Sequence, residues 1–150
     1  MKKQAGFTLV ELMVVIAILG ALAASGIGFL TKYRERTVGS EATVMMKQLL
    51  EAQIIYYLSY DDFFPTNGQM WVWNNGVDPS AANQQAILGA LKVAIPIGHL
   101  LDFRVYRTAA GSPVTVEIYS AGNFNLFPGV AQIRGTVDKT GKITGPTPFP

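Results

Sequence analysis

The sequence predicts an α+β protein in which one long N-terminal helix packs on an antiparallel sheet of three or four strands. Two patterns support this prediction. Apolar residues recur at helical spacing well beyond the first thirty positions, and the second half of the chain alternates apolar with polar residues between turn-forming ones. The chain has 150 residues, a length typical of one domain.

The first part of the predicted helix, Phe7–Leu30, is apolar apart from one carboxylate, Glu11. Residues 12–31 carry no charge, and a helix of that length spans about 30 Å, the thickness of the hydrocarbon core of a bilayer. A carboxylate at mid-membrane costs about 2.5–3.5 kcal/mol, so we expect Glu11 to have a function. Basic residues flank the segment on both sides and leave its orientation open: Lys2, Lys3, Lys32, Arg34 and Arg36.

Three interpretations of this segment compete. It is a secretory signal peptide cut after Ala21-Leu22-Ala23, a plain membrane anchor, or a retained helix behind a short leader that ends at Gly6. Glu11 itself has two interpretations. It is either a carboxylate favoured by the dipole of the first helical turn, or a partner for a positive group on another chain.

Residues 6–11, Gly-Phe-Thr-Leu-Val-Glu, resemble the processing motif of type IV pilins and type II secretion pseudopilins. In that family a membrane peptidase cuts after the glycine and N-methylates the new terminal phenylalanine. The resemblance covers roughly residues 1–35. It implies a leader at residues 1–6 with the cut between Gly6 and Phe7, a membrane and filament-core helix at 7–30, and a globular head at 31–150.

The resemblance also implies a role for Glu11 and a set of partners. Glu11 would meet the Phe7 amine of a neighbouring subunit and set the assembly register, with Thr8 donating a hydrogen bond nearby. The implied partners are a prepilin peptidase, an assembly ATPase with its platform protein, sister pilins and copies of this chain. The subunit would wait in the inner membrane and then enter a surface filament, or a periplasmic pseudopilus if it is a secretion or competence pseudopilin.

Two glycines near the end of the apolar segment, Gly26 and Gly28, predict a flexible point. Each weakens a helix by about 1 kcal/mol relative to alanine. Many members of the family carry a proline at the position of Gly28, and this chain has none there. We expect the two glycines to loosen the helix there during assembly, as the proline does in those members.

Beyond Leu30 the helical pattern continues to about Tyr60. Gly39-Ser40 is expected to be a kink or a weak point, and Asp61-Asp62 with the turn residues after it ends the helix. The predicted core stripe of this half follows helical spacing: Val38, Ala42, Met45, Leu49, Ala52 and Tyr56.

The remaining pattern predicts a loop, a short helix and the sheet. Gln69–Val77 is predicted to be a loop, and a helix is predicted from Asp78 to about Val93. Strands are predicted at Leu101–Arg107, Val114–Ser120, Val130–Val137 and Lys142–Thr144, followed by a tail or edge segment at Gly145–Pro150.

The composition argues against several functions. There is no cysteine, and no nucleophile, base or metal constellation accompanies His99, so the sequence predicts neither an enzyme nor a cofactor. Without the leader, 12 − 2 = 10 basic residues match 10 acidic ones, and this balance disfavours nucleic-acid binding. Only three arginines could share a face of the sheet, which is too few to favour it: Arg104, Arg107 and Arg134.

Two questions stay open at this point. Trp71 and Trp73 are either buried or at an interface, and Asp61-Asp62 is either a solvated turn or part of a calcium site. The alternative from another class is a secreted or periplasmic binding domain with an ordinary signal peptide.

Overall fold

The computed structural model describes residues 6–77, 79–122 and 124–149. Of the predicted leader, only Gly6 is among them, and Asp78, the predicted start of the short helix, lies outside the described residues. The chain divides into two compact units, Met1–Arg34 and Glu35–Pro150. Helix α1 spans Leu9–Tyr60 and so begins in the first unit and ends in the second, which confirms the predicted long helix.

The second unit contains five antiparallel strands in chain order. They are β1 (Gly68–Val72), β2 (Leu101–Arg107), β3 (Val114–Ser120), β4 (Gln132–Val137) and β5 (Ile143–Pro148). Helix α2 (Ser80–Leu91) connects β1 to β2. The α+β class is therefore confirmed, whereas the expected count of three or four strands was wrong.

The core lies between the second half of α1 and one face of the sheet. Alternate residues of β2, β3 and β4 are buried there, as expected for strands with one covered face. At β4 the two layers approach closely, because a Cβ added to Gly135 would lie 2.7 Å from Leu50 Cδ1 and 2.8 Å from Met46 Sδ. The buried stripe of α1 is also wider than predicted: Met45 and Tyr56 are only half-buried, while Met46, Leu50 and Gln53 are fully buried.

The predicted loop at Gln69–Val77 was wrong, since its first half belongs to β1. This strand pairs with β2, with Trp71 opposite Arg104. Its outer edge is covered by α2, where Asn83 Nδ2 donates to the Trp71 carbonyl at 2.8 Å. The backbone N–H of Trp73 donates to Ser80 Oγ at 2.8 Å, so side chains of α2 satisfy backbone groups that a free edge would expose.

The last strand is longer than the sequence predicted. β5 covers most of the expected tail, and Pro146 and Pro148 lie within or at the end of it. Because proline has no N–H to donate, it suits a strand that has a neighbour on one side only. β5 pairs with β4 and forms the second edge of the sheet.

α1 stays α-helical through Gly39 and Ser40, the predicted kink or weak point, so the helix is not interrupted there. Gly39 is instead a point of close packing. A Cβ added there would lie 2.0 Å from the carbonyl oxygen of Leu126, in the segment that joins β3 to β4. Gly39 is therefore required by the loop that packs on the helix.

Candidate functional site

Thr8 and Glu11 form reciprocal hydrogen bonds at the start of α1. The Thr8 backbone N–H donates to Glu11 Oε2 at 2.9 Å, and the Thr8 hydroxyl donates to the same oxygen at 2.8 Å. In return, the Glu11 N–H donates to Thr8 Oγ1 at 3.2 Å. This arrangement is a capping box, which satisfies backbone donors that the first turn of a helix leaves unpaired.

The capping box leaves part of the Glu11 carboxylate available. Both bonds that Glu11 accepts use Oε2, and among the described residues none donates to Oε1. The Thr8 N–H belongs to the peptide bond with Phe7, so a cut after Gly6 leaves the box intact. The capping box thus holds the carboxylate through Oε2 and leaves Oε1 unbonded by the described residues.

The two residues at the predicted cut precede the helix and are accessible. Gly6 and Phe7 lie outside regular structure, and Phe7 is 87% exposed. An exposed, non-helical peptide bond is a suitable substrate for a peptidase. Whether the chain is cut or methylated there remains a prediction.

In the first unit, α1 exposes its apolar side chains to the outside on all faces. Large examples are Leu12, Ile16, Leu22 and Phe29, which are between 60% and 75% exposed. The helix has one stretch apolar and long enough to cross a membrane. Exposed apolar patches of this size indicate a surface that a membrane or other protein covers.

Gly26 and Gly28 lie within this apolar stretch. An added Cβ would meet nothing within 4 Å at either position, so neither glycine is required by packing in this chain. The helix is continuous through both. Their role in flexibility stays a prediction.

The sheet face opposite α1 carries a buried carboxylate that the sequence did not reveal. Glu117 is 1% exposed and accepts hydrogen bonds from Tyr119 at 2.6 Å and Tyr106 at 3.0 Å. Arg104 Nη1 and Arg134 Nε donate to it at 3.1 Å and 2.8 Å. Burial raises the pKa of Glu117, but these four donors outweigh it and hold the pKa below its ordinary value.

The three arginines considered together in the sequence do not share one face. Arg104 and Arg134 flank Glu117 on the outer face, where its carboxylate offsets one of their two positive charges. Arg107 points to the other side of the sheet and is fully buried, with its Nη1 2.6 Å from Asp62 Oδ1. The arrangement therefore provides no cluster of uncompensated positive charge for nucleic acid.

Trp71 and Trp73 are both half-buried. Their rings stack on each other with centroids 4.3 Å apart, and Trp71 also contacts Tyr119 at 5.4 Å. The Arg104 guanidinium lies 5.1 Å from the Trp71 ring. The two tryptophans are thus part of the aromatic and ionic layer that covers the outer face of the sheet.

The remaining candidate groups form no metal site among the described residues, where no group of three or more potential metal-binding side chains exists. His99 Nε2 lies 3.4 Å from Glu41 Oε1, a contact between the segment that leads into β2 and helix α1. Asp62 is paired with Arg107, as described above, which makes this carboxylate a structural group.

Residues 1–27 match the family model described as the prokaryotic N-terminal methylation motif. The chain is 41% identical over 61 residues to the type IV major pilin of Myxococcus xanthus, covering 41% of this chain and 28% of that protein. It is 42% identical over 64 residues to a fimbrial protein of Neisseria meningitidis, covering 43% of this chain and 37% of the relative.

A probable minor fimbrial protein of Dichelobacter nodosus is 36% identical over 90 residues, covering 60% of this chain and 53% of the relative. The matches therefore span between about a quarter and about half of the length of these curated relatives. No solved structure matches the chain significantly.

Proposed function

We propose that this chain is a structural subunit of a type IV pilus, which the match of residues 1–27 to the prokaryotic N-terminal methylation motif and the similarity to type IV pilins support. Before assembly the apolar part of α1 holds the subunit in the inner membrane. A prepilin peptidase removes residues 1–6 and methylates the new terminus at Phe7. An assembly ATPase with its platform protein then draws the subunit into a surface filament of sister pilins and further copies.

The observation that carries this proposal is the exposed apolar surface of α1 with the Thr8–Glu11 capping box at its start. In lipid this surface is solvated by acyl chains, and in a filament it is covered by neighbouring helices. A heterologous contact of this kind does not close on itself and so propagates. The same surface serves both states, which is what a subunit transferred from membrane to filament needs.

Glu11 supplies the register in this proposal. Its Oε1 accepts a hydrogen bond from the Phe7 amine of a neighbouring subunit, while Oε2 stays bonded to Thr8. In apolar surroundings an unmatched carboxylate is penalised more than a matched pair is rewarded. Misregistered packing is therefore disfavoured, and only the stagger that brings Phe7 to Glu11 persists.

The head contributes no chemistry to this function. The relatives are structural proteins, and the buried groups of the head, Glu117 and Arg107, are compensated by neighbours within the chain. A secretion or competence pseudopilin is the alternative within the same family, since its subunits need the same N-terminal segment. A secreted domain with an ordinary signal peptide is the alternative outside it.

The test compares Glu11→Ala with a matched control, Glu51→Ala, an exposed glutamate of the same helix. We expect Glu11→Ala to enter the membrane normally and to be lost from sheared filaments, whereas Glu51→Ala should appear in both fractions. N-terminal mass spectrometry should give Phe7 as the first residue. A chain that starts at Ala24, with both variants secreted alike, would support the signal-peptide alternative.

A further inference from the structure

A groove lies on α1 in the first unit, close to the end of the uncharged stretch. We propose that it binds one anionic phospholipid, part of whose acyl chain lies along the groove and whose phosphate is bound by Lys32. The inference rests on the proposed function in one respect, because it requires the helix to lie in a membrane. It adds a lipid partner and a means of regulating the release of the subunit.

The groove is lined by Ser25, Gly28, Phe29 and Lys32 and has a volume of about 160 Å³. Gly28 forms its floor, because an added Cβ would meet nothing within 4 Å and the space is open. Phe29 is 75% exposed and provides an apolar wall. The groove is therefore formed by the missing side chain of Gly28, with the long side chains of Phe29 and Lys32 beside it.

The polarity of the groove matches a lipid rather than a polar solute. The Ser25 hydroxyl donates to the Leu22 carbonyl at 2.9 Å, so it is satisfied within its own helix. The methylene stem of Lys32 is apolar, and its ammonium group is carried at one end. The groove is thus apolar along its length and cationic at its end, as an acyl chain attached to a phosphate requires.

The depth of the groove in a bilayer follows from the uncharged stretch. Residues 12–31 fill a hydrocarbon core of about 30 Å, so Lys32 is the first charge to emerge at the level of the phosphates. Gly28 lies about 6 Å deeper along the helix axis, among the acyl chains. Each basic residue near an anionic surface strengthens binding about five-fold, and Lys32 alone is enough to give a measurable preference.

Binding at this groove would oppose assembly. In a filament the same face of α1 must contact neighbouring helices, so the lipid has to leave before the subunit is incorporated. A membrane rich in anionic lipid therefore favours the waiting subunit, and one poor in it favours release. The lipid composition sets how readily subunits are extracted.

The experiment uses the full processed chain in two steps. Flotation with phosphatidylcholine liposomes first reports whether the chain enters a membrane. Native mass spectrometry from micelles containing equal amounts of phosphatidylglycerol and phosphatidylcholine then counts the lipids retained. We expect one phosphatidylglycerol per chain, preferred about five-fold or more over phosphatidylcholine.

Two variants separate charge from shape, each with a matched control. Lys32→Gln should abolish the preference for phosphatidylglycerol, while Lys47→Gln, an exposed lysine of α1 in the head, should keep it. Gly28→Leu should fill the groove and reduce retention of both lipids. Gly20→Leu should have no such effect, since it has equal space but lies outside the groove.

The outcomes distinguish this inference from the proposed function. Flotation with equal retention of the two lipids overturns the lipid site and leaves the pilus subunit untouched. Equal effects of Lys32→Gln and Lys47→Gln, or of Gly28→Leu and Gly20→Leu, also overturn it, because binding would then be non-specific. A chain that does not float removes both proposals.

Discussion

Arg107 Nη1 donates to Asp62 Oδ1 across 2.6 Å, and this contact fastens the segment after α1 to the end of β2. The Arg107 side chain is 0% exposed and that of Asp62 is 35% exposed. The same guanidinium donates to the carbonyls of Phe63 and Ser112 at 3.1 Å and 3.2 Å. The carboxylate and the carbonyls replace water at Nη1 and Nε, while the buried Nη2 has no hydrogen-bond partner among the described residues.

Asp62→Asn should therefore destabilise the head, because it leaves the buried Arg107 charge uncompensated. We expect a loss of about 1–3 kcal/mol in the free energy of unfolding, measured on the full chain by denaturant titration followed by tryptophan emission. Asp61→Asn is the matched control, since Asp61 is exposed and has φ 54°, which asparagine adopts readily. Equal stability of the two variants would contradict the role assigned to the pair.

The same pair predicts a dependence on acid. The hydrogen bond from Arg107 holds the pKa of Asp62 below its ordinary value of 3.8. Because the pKa of Asp62 is lower in the folded state, its contribution to the free energy of unfolding is fully present above the pKa of the unfolded state. That contribution is lost as the pH falls through the pKa of the folded state. The stability difference between the wild-type chain and Asp62→Asn should shrink at pH values below about 4.

Tyr119 predicts a dependence on alkali. Burial and the hydrogen bond to Glu117 raise its pKa from 10.0 to about 12. Because the pKa of Tyr119 is higher in the folded state than in the unfolded state, its contribution to the free energy of unfolding is complete below about pH 10. That contribution is lost between about pH 10 and 12. Tyr119→Phe should cost about 1 kcal/mol at neutral pH and should remove that part of the alkaline decline.

The measurement is the free energy of unfolding across this pH range, with tyrosinate absorbance recorded in parallel. Tyr60→Phe is the matched control, because Tyr60 is 68% exposed at the end of α1. An unchanged alkaline decline in Tyr119→Phe would show that Glu117 is satisfied by its other donors alone.

Gly39→Ala should destabilise the head through the Leu126 carbonyl. The new Cβ would overlap that oxygen, so the helix and the loop have to separate, at a cost of about 1–3 kcal/mol. Gly89→Ala is the control, since α2 leaves open space there and alanine favours a helix. The expected order of stability is Gly89→Ala, then the wild-type chain, then Gly39→Ala, and a reversed order would exclude the close contact.

The sheet could be predicted well where one face of each strand is buried. The bounds of β2 and β3 agree with the sequence prediction, because Leu101–Val105 and Val114–Ile118 alternate apolar and polar residues. β1 lacks such alternation, and its place depends on pairing with β2 and on cover from α2. Those contacts are made by residues distant in sequence, and no local pattern encodes them.

The buried polar groups could not be predicted for a related reason. Glu117 occupies a polar position of β3 and Arg107 an inward position of β2 in phase with apolar residues, and only the fold decides which neighbours they meet. By contrast, Thr8 and Glu11 stand three residues apart, so the spacing of a capping box was visible in the sequence. The local part of the candidate site was therefore predictable, and the compensation of charges in the head was not.

Gly26→Ala with Gly28→Ala should stiffen α1 without any steric cost. Each exchange favours the helix by about 1 kcal/mol, and both positions have open space. If the glycines provide the flexible point, filaments of the double variant should extend less under load in an optical trap. Gly20→Ala, with equal space, is the control, and filaments that stretch like the wild type would rule out this role.

Thr8→Val should reduce filament incorporation although the peptide bond after Gly6 is untouched. Valine keeps the shape of threonine but removes the hydroxyl that bonds Glu11, and loss of a helix cap costs about 1 kcal/mol. The carboxylate is then held by the Thr8 N–H alone and reaches the neighbouring amine from more than one direction. Thr8→Ser restores the hydroxyl and should assemble like the wild type.

The readout is the ratio of subunit in sheared filaments to subunit in the membrane, with the first residue verified by mass spectrometry. We expect this ratio to fall several-fold for Thr8→Val, because the 1 kcal/mol lost at the cap corresponds to a factor of about five. A ratio that rises instead would mean that Thr8 competes with the neighbour for Glu11 and does not position it. That result would remove the hydroxyl from the assembly step and leave Glu11 as its sole polar determinant among residues 6–11.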